Sequence, residues 1–122
     1  MTLSPYIVPV VSGPYASVTT ETYDVATRGR SGLILINSVT APANGFSETL
    51  SILGVSASGL TWTILAAVAL TAAGQQILQV APGLVAVANQ AISGVLPATV
   101  RISVTHTDAT PITRSVEVQL VP

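Results

Sequence analysis

The sequence predicts an all-β protein, an antiparallel β-sandwich of the jelly-roll or immunoglobulin-like kind with an extended N-terminal arm. Two observations carry the fold. Apolar residues alternate with period two in several short runs, and turn-forming residues recur between the runs at intervals of roughly 10–15 residues. A third observation bears on use: only 7% of the residues are charged, against roughly 25% in an average domain.

The elements follow in chain order. "YIVPVVS" and "SVTTETYDV" near the N-terminus are strand candidates. Pro9 confines the first to a sheet edge or an arm, because proline cannot donate to a ladder. "GLILINSV", Gly32 to Val39, is a continuous apolar run, as expected of a strand covered on both faces. "APANGF" is a turn in which Asn44-Gly45 supplies a positive φ. "ETLSILGVS" is a strand with Leu50 and Ile52 on one face, and "SASG" turns the chain again. "LTWTIL" begins a further strand, with Trp62 expected as a buried packing residue. "AAVALTAAGQ" connects, with room for one helical turn stopped by Gly74, and leads into the strand "QQILQV". "APG" is a turn with Pro82 at its first corner. "GLVAVANQAISGVLPAT" interleaves apolar residues with Gly, Asn and Pro. It reads as a long ordered loop or short strand pieces, and so apolar a loop is a candidate contact surface. "VRISVT" and "SVEVQLV" alternate cleanly around "HTDATP" and are expected to form an antiparallel hairpin.

Length implies one domain, with residues 1–30 as an N-terminal arm or edge strands and residues 31–122 as the sandwich. There is no lysine. The cations are Arg28, Arg30, Arg101 and Arg114, the anions Glu21, Asp24, Glu48, Asp108 and Glu117, and the net charge is −1. A dispersed monomer keeps a charged surface and a net charge away from zero. This chain does neither, so other subunits are expected to cover much of it. Scattered arginines cannot make the basic stripe that nucleic acid requires. "MTLSPYIVPVVSG" does not read as a signal peptide, and no uninterrupted apolar run reaches the ~20 residues of a membrane-spanning helix.

No catalytic constellation emerges. The single histidine, His106, stands two residues from Asp108 in a turn, with no Cys or second His to complete a metal site. Glu48 and Glu117 are expected to point outward from their strands. No phosphate-cradling glycine loop is present. An enzyme is not expected, nor are a cofactor or a metal.

The order "TRGRSG", "LILINSVTA", "ETLSILGVSAS", a Trp with "TILAAVALTAAGQQILQVAPGL", "AVANQAISGVLPATVRISVTH" and "ATPITRSVEVQLV" resembles small β-sandwich virion proteins of tailed bacteriophages. The resemblance covers about Arg28 to Val121. It implies a capsid decoration (cement) protein of the virion head, made in the host cytoplasm. Its partners would be the major capsid protein and other copies of itself, with a trimer the expected state. It carries over no catalytic residues. A tail, neck or fibre-base component is the alternative, followed by a carbohydrate-binding adhesion module. Candidate partner contacts are Tyr6, Tyr15, Arg28 and Arg30.

Overall fold

A computed structural model describes residues 6–15, 20–40, 47–106 and 112–122. Nine strands run in chain order: β1 (Tyr6–Tyr15), β2 (Thr20–Ala26), β3 (Gly32–Thr40), β4 (Glu48–Val55), β5 (Thr61–Ala66), β6 (Gly74–Val80), β7 (Ala91–Ile92), β8 (Thr99–His106) and β9 (Ile112–Val121). One sheet has the order β1-β9-β3-β6-β7 and the other β2-β8-β4-β5. All pairings are antiparallel except that of the two-residue β7 with β6. With β7 set aside, the eight long strands follow jelly-roll order, four to each sheet (β1-β9-β3-β6 and β2-β8-β4-β5), with β4 and β5 as the one hairpin within a sheet, which selects between the two sandwich types that the sequence left open.

Period-two alternation builds the core as expected. Leu33 and Leu35 of β3, Leu50 and Ile52 of β4, Leu78 and Val80 of β6, Ile102 of β8 and Val118 of β9 are all buried and form one cluster between the sheets. β3 departs from expectation. Its inward residues are buried, but Ile34, Ile36 and Ser38 on its other face are only half-buried, so one face is covered rather than two. The expected hairpin of "VRISVT" and "SVEVQLV" does not form. β8 pairs with β2 and β4, whereas β9 pairs with β1 and β3 in the opposite sheet. Each strand buries the same alternating face, but on opposite sides of the core.

The N-terminal segment takes edge positions: β1 flanks β9 and β2 flanks β8. Tyr6–Tyr15 pairs along its length with β9, and Val25 of β2 is a core residue. The described residues of this segment are edge strands of both sheets, one of the two forms the sequence allowed, and their backbone groups complete the outer ladders. The β2–β3 turn places Arg28 and Gly29 at positive φ (56° and 73°). The Thr27 hydroxyl donates to the carbonyl of Pro97 at 2.7 Å, stapling the end of the long β6–β8 connection to that turn.

The Asn37–Glu48 link between the sheets is unlike the rest of the core. Both side chains are fully buried, and Asn37 Nδ2 donates to Glu48 Oε1 at 2.8 Å. The expectation that Glu48 points outward is thus corrected. Glu48 shares the inward parity of Leu50 and Ile52, and an amide from the facing sheet makes that position tolerable for a carboxyl group.

Candidate interface

The sandwich has two flanks, and they differ in chemistry. On one flank β1 and β2 are the outer strands. β1 carries Pro9 and Pro14, which lack the N–H that a new strand would need. β2 carries Glu21 and Asp24. Asp24 forms a two-pronged ion pair with Arg101 of β8, Nε to Oδ1 at 2.7 Å and Nη2 to Oδ2 at 3.1 Å. Hydrogen bonds from Arg101 hold the Asp24 carboxyl below its ordinary range, slight desolvation opposes this, and the guanidinium charge adds to the lowering.

The other flank, formed by β5, β6, β7 and their connections, is uncharged. No Asp, Glu, Lys, Arg or His occurs from Thr49 to Val100. Among the residues whose side-chain burial is described (22–40, 47–105 and 115–122), the large exposed apolar side chains all fall between positions 60 and 95: Leu60, Trp62, Val68, Ile77, Val85, Val87 and Val95. Val85 and Val95 are 82% and 86% exposed, which is open display and not the rim of a core.

Local sequence explains how each is presented. Ser56 closes the β4–β5 turn: its Oγ accepts from the Leu60 N–H at 3.0 Å, and Gly59 takes the positive φ (90°). This puts Leu60 at the hairpin tip. Trp62 lies across Gly54 of β4, where a Cβ would overlap the indole Cζ2. The expectation that Trp62 is mainly buried is corrected. It is 47% exposed, on the outer strand of its sheet with its indole over Gly54. Acrylamide is accordingly expected to quench Trp62 fluorescence in the isolated chain. Covering this flank should reduce that quenching, and a Trp62 shielded in the isolated chain would contradict the exposure.

The β6–β8 connection is an ordered platform, as its composition led us to expect. Val87 and Ala91 exchange backbone hydrogen bonds at 3.0 and 2.9 Å around Asn89, whose φ is 62°. Asn89 Nδ2 donates to the Ala66 carbonyl at 2.8 Å, tying the platform to β5. The Gly83 N–H donates to Ser93 Oγ at 3.0 Å and fixes the turn after Pro82. Two shallow hollows result. One of about 390 Å³ is lined by Val68, Gln76, Ile77 and Asn89 among others. The second, of about 420 Å³, lies against Ile77, Leu84, Val85 and Val87.

The sequence-derived contact residues lie elsewhere. Tyr6 and Tyr15 sit at opposite ends of β1, opposite Leu120 and Ile112 of β9. Arg28 and Arg30 occupy the β2–β3 turn, where Arg30 Nη1 donates to the Arg28 carbonyl at 3.3 Å. The fold therefore does not gather the four into one surface. His106 ends β8 opposite Glu48 of β4, and Asp108 and the Asn44-Gly45 turn lie outside the described residues. No three His, Cys, Asp or Glu side chains converge among the described residues. The signal for the apolar flank was present in the sequence as the long gap between Glu48 and Arg101 in the list of charges.

No family model matches the chain, and no curated protein matches it. Among solved structures, the fold is similar to that of a chain in the crystal structure of the T13 IBDV viral particle. The TM-score is 0.50 at 13% identity, covering 98% of this chain and 32% of that one. A chain of the infectious bursal disease virus Gx strain aligns with a TM-score of 0.45 at 12% identity, over 98% of this chain and 34% of its own. This chain thus spans about a third of the length of either. At such identity the likeness is one of fold: the chain is a jelly-roll sandwich of a kind found in a virus particle.

Proposed function

We propose that this chain is a structural protein of a virus particle, and that within the particle it decorates the head shell of a tailed bacteriophage as a homo-oligomer bound to the major capsid protein. The observation that carries the reading is the uncharged flank, with its exposed apolar side chains on an otherwise regular jelly roll. A soluble monomer rarely leaves such a surface in water. Covering it with shell subunits removes apolar area at about 25 cal/mol per Å². A ligand that binds the assembled shell and not its parts stabilises assembly by mass action. The fold likeness to a viral-particle chain supports the particle role. The sequence resemblance supports the head. No catalytic step, metal or cofactor is assigned.

The test is co-sedimentation of purified protein with shells that lack it, across low and high salt, together with gold labelling of whole particles. The expected result is binding to shells, retention or strengthening of binding as salt rises, and an increased melting temperature of the shell. Gold on tails instead of heads would move the protein to the tail. A steep loss of binding with salt would replace the apolar contact by an ionic one, through arginines such as Arg28 and Arg30.

A further inference from the structure

We infer that the open edge of β6 is a self-pairing site, where the strand joins β6 of a second copy about a two-fold axis at Gln76. The inference stands apart from the particle role and rests on the backbone. Gln79 N–H donates to the Gln90 carbonyl and Ala81 N–H to the Ile92 carbonyl, so odd-numbered residues of β6 direct their peptide groups away from β3. β7 takes up this edge only at Gln79 and Val80. By strand alternation, Gln75 and Ile77 direct N–H and C=O groups to the same side, and among the described residues no strand pairs with them there. Only another extended backbone offers donors and acceptors at that spacing.

The occupant follows from the edges. β1, the opposite edge of the same sheet, is blunted by Pro9 and Pro14, and β2 by the exposed Asp24. Prolines and charges are the usual guards of exposed edges. β6 has neither, and the hollow beside it is lined by uncharged residues. A head-to-tail contact of β6 with β1 would meet the prolines, and on β5, the other outer strand without proline or charge, the Ala66 carbonyl is already taken by Asn89 Nδ2, so the pairing in which no group is blocked is like with like. That symmetry closes a dimer, where the sequence resemblance led to an expected trimer. With the axis at Gln76, Gln75 pairs with Ile77 of the second copy and Ile77 with Gln75, and four hydrogen bonds use all the open groups of both residues. The window also fits in length. The chain bends at residues 72–73 just before Gly74, and β7 begins opposite Gln79.

Sedimentation equilibrium of the full chain tests this. The wild type is expected at about twice 12.4 kDa. Ile77→Pro removes an N–H that faces solvent in the single chain, and Ile77→Lys charges the edge. Both are expected to halve the mass while retaining the β-type circular dichroism. If the proline variant does not fold, the lysine variant carries the test. In a Gln75→Cys/Ile77→Cys double variant, paired residues would stand about 5.5 Å apart at Cα, within disulfide range. As the chain has no native cysteine, oxidation should give a covalent dimer on a non-reducing gel. A monomeric or trimeric wild type, a folded lysine variant that keeps the wild-type mass, or a double variant that does not cross-link would overturn the site.

Discussion

Replacing Asn37 by leucine is expected to destabilise the domain by about 3 kcal/mol in urea or thermal unfolding. Leucine has the branching and heavy-atom count of asparagine, with somewhat bulkier methyl ends, so packing is not the main loss. The loss is the amide donor at 2.8 Å from a carboxyl group that has no exposure at all. A buried polar group deprived of a partner carries most of its desolvation penalty into the folded state. The double variant Asn37→Leu/Glu48→Leu separates the two causes. It should be more stable than Asn37→Leu alone, since it leaves no buried carboxyl group facing leucine where its amide donor stood. A single variant that costs under about 1 kcal/mol, or a double variant that is worse than the single one, would mean that the link between the sheets is dispensable.

Leu35→Ala is expected to cost about 3–5 kcal/mol. Leu35 is fully buried at the centre of its sheet, with Leu78 of β6 and Val118 of β9 as its cross-strand neighbours. Truncation there opens a cavity that rigid strands on both sides cannot close. Against a total of about 5–15 kcal/mol for a domain, that removes a large share. The contrast is Val85→Ser on the apolar flank. Val85 is 82% exposed, so its loss should change stability by no more than about 0.5 kcal/mol while weakening association with shells. Equal effects of the two variants on stability would remove the distinction between a core that holds the fold and a flank that holds a partner.

Much of this protein was legible along the chain. The strands at Gly32–Thr40, Glu48–Val55, Thr61–Ala66, Gly74–Val80 and Thr99–His106 follow from alternation and turn residues, which are local properties of a few adjacent side chains. Glu48 shares the parity of Leu50 and Ile52, but its charge argued for the surface, and only the Asn37 amide of the facing sheet makes its burial tolerable. The rest depended on residues far apart. "VRISVT" and "SVEVQLV" have the same alternating face, and alternation does not tell a strand which sheet to join. Only the jelly-roll path puts them on opposite sides of one core. The exposure of Trp62 depends on β5 being an outer strand, and its place over Gly54 on a register shift between Ile52 and Leu53 of β4. The open edge at Gln75 and Ile77 exists because β7 is two residues long and pairs beyond it. Side-chain alternation is written in adjacent residues, whereas the vacancy of a peptide group is set by which distant strand does or does not arrive beside it.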